Sequence, residues 1–134
     1  MKRSILQWAR WLALGAGAMD FGTGLGLVFA PGLLLPLMGV AVPAGDGVVF
    51  LRWMGAFVGA VGASYLLAVV RGGAGRLRAV FEFTILFRLA AGGFSATAIG
   101  LGWLPIAWVS VPVTDLALVA VQVWLLCRGG WGDE

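Results

Sequence analysis

The stretch Trp11-Leu-Ala-Leu-Gly-Ala-Gly-Ala-Met-Asp20-Phe-Gly-Thr-Gly-Leu-Gly-Leu27 decides how the rest of the chain is read. Ala16-Gly17-Ala18, behind a basic start, has the form of a signal-peptidase site, yet the apolar run continues through it and holds Asp20 in its middle. A cleaved leader needs an uninterrupted apolar stretch of about 7 to 15 residues before the cut. Arg10 leaves only Trp11 to Gly15. Removing the segment would also leave three crossings with basic loops on both sides. The stretch is therefore expected to be a retained membrane helix that carries an acid.

The composition agrees. The 134 residues are 61% hydrophobic and only 11% charged, far from the balance of a water-soluble domain. Mean hydropathy is +1.01, and 22 glycines and seven tryptophans match a multi-pass membrane protein, in which Gly is common within helices and Trp gathers at the interfaces. Cys127 is the only cysteine and there is no histidine. An intramolecular disulfide, zinc of the ordinary kinds, His-ligated haem and Ser-His-Asp or Cys-His catalysis are thereby excluded. No catalytic residue, metal site or cofactor is expected. Gly22-Thr-Gly24-Leu-Gly26 follows no strand and makes no nucleotide loop. The net charge of +3 comes from residues at the ends of apolar segments rather than from a basic stripe, so nucleic acid is not an expected partner.

Four apolar segments, near 8–30, 48–70, 79–101 and 107–127, are each about long enough to cross a hydrocarbon core of about 30 Å. They predict one all-α domain over 1–134, an integral membrane four-helix bundle. Between the first two lies an apolar stretch, 31–47, broken by Pro31, Pro36 and Pro43; it reads as an interfacial loop or a short helix lying on the membrane. Lys2, Arg3, Arg10, Arg71, Arg76, Arg78 and Arg128 all fall on one side of a four-crossing layout. The positive-inside rule then puts both termini in the cytoplasm and the chain in the cytoplasmic (inner) membrane. Small residues recur four apart at Ala18, Gly22 and Gly26, and at Gly55, Gly59 and Ala63. Such faces serve close packing within the bundle, or association with a second copy or a larger membrane complex.

Asp20, Arg52, Glu82, Arg88 and Asp115 remain inside the apolar segments. An ionised group at the centre of a membrane helix costs about 2.5–3.5 kcal/mol on insertion scales, so each needs a partner, a wet cavity or a loss of charge. At 1.5 Å per residue from the cytoplasmic ends, Asp20 and Asp115 lie at about 18 Å, Arg88 at about 13 Å and Arg52 at about 27 Å. Thr84, Arg88, Gly92 and Ser95 share one face of the third helix, and Asp115 and Gln122 one face of the fourth. Arg88 is placed to bridge the two aspartates or to reach Gln122. Glu82 is placed to pair with Arg76 or Arg78, and Arg52 to reach headgroups or extend towards the acids. Tyr65, the only tyrosine, needs a hydroxyl partner if buried. The candidate ligand-binding or proton-relay residues are thus Asp20, Arg52, Tyr65, Thr84, Arg88, Asp115 and Gln122. The same groups equally serve as polar contacts that hold the helices in register.

With these residues in place, the chain resembles the DoxX-like group of small four-helix bacterial membrane proteins. The likeness lies in Arg52-Trp-Met-Gly55-Ala-Phe-Val-Gly59-Ala-Val-Gly62, in Phe83-Thr84-Ile-Leu-Phe-Arg88, and in Thr114-Asp115 through Gln122. The resemblance implies a compact bundle and, for some members, an accessory role beside quinol or thiol redox systems. Small multidrug exporters also have four helices and an acid in the first, but they have weak charge bias and use a glutamate for cations, whereas here Arg88 lies at similar depth. The expected function is an accessory membrane protein whose polar cluster binds a lipid or quinone headgroup. A small proton-coupled transporter and a membrane enzyme acting on a lipid are the alternatives.

Overall fold

The computed structural model describes residues 2–129 and 131, with Lys2 and Arg3 described by backbone only. The charges counted above at Lys2 and Arg3 therefore lie outside the described side chains. The chain is all-α: α1 (Lys2–Phe29), a short α2 (Pro31–Leu37), α3 (Asp46–Arg71), α4 (Ala74–Gly100) and α5 (Ser110–Cys127), the last preceded by a 3-10 turn at Ile106–Val109. No strand occurs among the described residues. The four long helices, the last counted with its leading turn, are long and apolar enough to cross a membrane.

Local chemistry explains the breaks. Pro31 opens α2, where its missing N–H is no loss. The turn between α3 and α4 is only Gly72-Gly73, at φ 69° and 92°, a backbone region that side chains with a Cβ disfavour. The sequence pattern placed the next helix at about 79. Instead Arg76 and Arg78 ride on the first turns of α4, their long stems carrying the charges away from the apolar face. After α4, the Gly102 N–H bonds to Ile99 O at 3.0 Å and the Trp103 N–H to Ala98 O at 2.8 Å, the paired closure that a left-handed residue allows at a helix end.

α1 and α3 run antiparallel and pack along most of their length, as do α4 and α5; α3 and α4, although consecutive, touch along much less. Close approach of α1 to α3 depends on Gly17 and Gly24 meeting Gly55, Gly59 and Gly62. A Cβ on Gly62 would land on the Phe21 backbone, and one on Gly24 on that of Gly59. The small-residue stripe on α1 is thus displaced from the expected one. Ala18 is exposed, Gly22 faces open space and Gly26 meets Leu34 of α2. The facing surface of α1 is set by Ala9, Ala13, Ala16, Asp20 and Leu27, all buried, and that helical face passes through Gly17 and Gly24.

The buried apolar residues form two cores. One, at the terminal end of the bundle, where α1 begins and α5 ends, joins Ala9, Ala13, Tyr65, Leu77, Phe81, Leu125 and Trp131. The other, at the far end, joins Leu27, Leu35, Val40 and Leu51. Leu35 and Val40 bring α2 and its following loop into that far core. Outward faces keep large apolar side chains exposed, among them Phe29, Leu37, Val70, Phe83 and Phe94, as a lipid-facing surface requires. Trp8, Trp11 and Trp124 stand exposed near the terminal end and Trp53 and Trp103 near the far end, the two-belt distribution that membrane interfaces favour.

Candidate functional site

Between the two apolar cores lies a polar layer. Among the buried positions of α4, Leu77, Phe81, Thr84, Arg88, Gly92, Ser95 and Ala98 recur every three or four residues, with Val80 beside Phe81, so one inward stripe passes from apolar to polar and back. Arg88, 4% exposed, is the centre. Its Nη2 donates to Asp20 Oδ2 of α1 at 2.5 Å and its Nη1 to Asp115 Oδ1 of α5 at 2.7 Å. Its Nε donates to the Tyr65 hydroxyl at 3.3 Å, and the guanidinium carbon lies 5.6 Å from the Tyr65 ring centre. Every nitrogen of the guanidinium is therefore engaged. With one arginine and two aspartates, the cluster carries formally one negative charge in excess.

One turn nearer the termini, a second group completes the layer. The Tyr65 hydroxyl donates to Thr84 Oγ1 at 2.7 Å, and Thr84 in turn donates to Val80 O at 2.6 Å. Gln122 Nε2 donates to both Tyr65 and Thr84, at 2.6 and 3.0 Å. Gln122 is 1% exposed, and its Oε1 is the one buried side-chain polar atom without a partner among the described residues. Both tyrosine and threonine protons are committed, so neither hydroxyl is poised as a nucleophile: no base accepts from them.

Two cavities reach the carboxylates, and Met54, Val58 and Ala91 line both. The larger, about 380 Å³, opens along the α3/α4 seam; Asp20, Arg88 and Asp115 line it together with Trp53, Phe57, Val61 and Phe87. The smaller, about 230 Å³, reaches Asp20 and Asp115 past Thr23, Ser110, Thr114, Met38 and Trp108. The first is an apolar pocket with a few convergent polar groups, the usual character of a small-ligand site.

Six of the seven sequence candidates, Asp20, Tyr65, Thr84, Arg88, Asp115 and Gln122, come together in this layer. Of the two options for Arg88, it bridges the aspartates and leaves Gln122 to Tyr65 and Thr84. Arg52 stands exposed near the start of α3, outside the network: its position on the helix turns it away from the inward face held by Leu51 and Gly55. Glu82 pairs with Arg78 at 2.8 Å on the surface. Thr23 and Thr114, which line the smaller cavity, lie outside the seven candidates. Thr23, three residues after Asp20 and so on its face, carries a readable signal; Met38, just past the end of α2, and Trp108, in the 3-10 turn before α5, carry none. Comparisons with protein-family models, curated proteins and solved structures returned no match.

Proposed function

We propose that this chain is a small integral protein of the cytoplasmic (inner) membrane, with both termini in the cytoplasm, that takes the headgroup of a lipid or a quinone from the bilayer into the cavity at Asp20, Arg88 and Asp115. The observation that carries this reading is the 380 Å³ cavity with apolar walls and two carboxylates among its lining groups. The chemistry of those groups narrows the ligand. Arg88 already donates to both acids and to Tyr65, so what faces an incoming molecule is acceptor oxygen with one negative charge in excess. A headgroup that donates a hydrogen bond, a quinol hydroxyl or a lipid alcohol, is matched to that surface; a phosphate is repelled by it. The DoxX-like resemblance, which for some members implies an accessory role beside quinol or thiol redox systems, is compatible with this reading.

Binding measured calorimetrically on the purified protein in detergent tests this, with a short-chain quinol, its oxidised quinone and a diacylglycerol as the three probes. The quinol or the diacylglycerol binds, which tells the two sources apart, and the quinone binds more weakly than the quinol. Asp115→Asn weakens binding roughly ten- to a hundredfold, the worth of a hydrogen bond to a charged group. Ala91→Phe, which fills the cavity, abolishes it. Failure of all three probes to bind the folded wild type, or full binding by Ala91→Phe, overturns the reading.

The second reading, a small proton-coupled transporter, draws on the two aspartates at mid-depth, Asp20 and Asp115, each of which lines both cavities. Reconstituted vesicles acidified at one face would show a proton-linked flux that Asp20→Asn and Asp115→Asn each remove; unchanged flux in both variants eliminates it. A lipid-modifying enzyme has the least support, since Tyr65 and Thr84 both lack a base.

A further inference from the structure

The α3/α4 seam does not end at the polar cluster. Past a shared wall of Phe57, Val61 and Phe87 it widens towards the terminal end into a second groove of about 710 Å³, with Leu67 and Phe83 along it and Arg71 and Arg76 at its end. The Gly72-Gly73 turn holds these two arginines together: Arg76 Nη1 donates to the Arg71 carbonyl at 3.1 Å, which fixes the guanidinium at the groove's mouth while its other nitrogens stay available. The next cation along, Arg78, is occupied by Glu82. No acid lines this groove. The first turn of α4, which has no side-chain cap, adds the positive end of a helix dipole at the same place.

We propose that an anionic glycerophospholipid binds here, its phosphate between Arg71 and Arg76 and an acyl chain in the groove. Charge selects the occupant. Two guanidiniums without a facing carboxylate suit a phosphate, and the long apolar trough behind them suits a chain rather than a soluble anion. Leu67 and Phe83, 56% and 66% exposed, lose that exposure to the chain. The two ends of one seam therefore select opposite headgroups: donors at the acids midway along it, phosphate at the arginines. The proposal rests on the membrane reading above but not on any ligand at the Asp20/Arg88/Asp115 cluster.

The test uses the full chain in uncharged detergent, titrated with phosphatidylglycerol, phosphatidylcholine or water-soluble glycerol phosphate and read by native mass spectrometry. Phosphatidylglycerol binds in preference to phosphatidylcholine. The pair Arg71→Gln and Arg76→Gln weakens it roughly thirtyfold, taking about fivefold for each arginine near a membrane surface. Arg10→Gln with Arg128→Gln, an equal loss of charge at the same end but outside the groove, leaves it unchanged. Ala60→Phe, which narrows the groove without touching charge, also weakens binding and serves if the double arginine variant does not fold. Equal binding of the two lipids, an equal loss in the Arg10/Arg128 control, or glycerol phosphate binding as tightly as the lipid would each overturn the proposal.

Discussion

Replacing Arg88 by methionine keeps most of the side-chain volume and removes the cation that two buried acids share. Arg88 is 4% exposed and holds Asp20 and Asp115 at 2.5 and 2.7 Å, so the variant leaves two carboxylates without their partner. If both stayed charged, insertion scales put the cost at about 2.5–3.5 kcal/mol each, or about 5–7 kcal/mol together. The two cavities that reach these carboxylates admit partial relief, and proton uptake supplies more. The expected destabilisation of Arg88→Met is therefore about 3–5 kcal/mol, the range found when one member of a buried ion pair is removed. The triple variant Asp20→Leu, Arg88→Met, Asp115→Leu leaves no charge in the layer and is expected within about 1 kcal/mol of wild type, because a buried ion cluster and a packed apolar one are often equivalent in stability. Unfolding in mixed micelles, followed by circular dichroism against rising denaturing detergent, measures both. A single variant as stable as wild type, or a triple variant as unstable as the single, refutes the reasoning. A stable triple variant that no longer binds ligand would assign the cluster to function rather than to holding the helices in register.

Two further predictions come from the helix pairs. Gly62→Ala drives a Cβ onto the Phe21 backbone, whereas Gly22→Ala enters open space; the first should lower stability by about 1–3 kcal/mol or more, because backbone cannot repack, and the second should raise it by up to about 1 kcal/mol through helix propensity. The same unfolding assay checks the opposite signs. Cys127, the single cysteine and exposed near the end of α5, should react with a membrane-impermeant maleimide in inside-out vesicles and not in intact cells; labelling of intact cells would reverse the proposed orientation.

Much of this architecture was legible because lipid imposes simple rules. Runs of about 20 apolar residues, interrupted by Pro31 and by glycine-rich turns, were enough to find four long helices. Spacing alone put Thr84, Arg88, Gly92 and Ser95 on one face, and depth alone brought Asp20, Arg88 and Asp115 to one level. What escaped depended on rotation and on voids. Gly22 and Gly24 are two residues apart and so point to different sides of α1; only the partners supplied by α3 distinguish them. Charge alone made Arg76 and Arg78 look like loop, although long stems permit them inside a helix. The cavities had no signature: the one at the acids and the groove beyond it lie along the seam where α3 and α4 touch least, and sparse contact is not written in any one residue.

The polar layer is divided between the two halves of the chain, and that division bears on how the protein is made. Asp20 and Tyr65 belong to the hairpin of α1 and α3, while Arg88, Asp115, Thr84 and Gln122 belong to that of α4 and α5. During synthesis the first hairpin can close early through its glycines, but Asp20 has no counter-charge until α4 emerges. The second hairpin, in contrast, contains a matched Arg88–Asp115 pair from the outset. An isolated α1/α3 hairpin thus lacks the cation that Asp20 meets in the finished bundle, and the Asp20–Arg88 pair is a contact that only the two halves together can make.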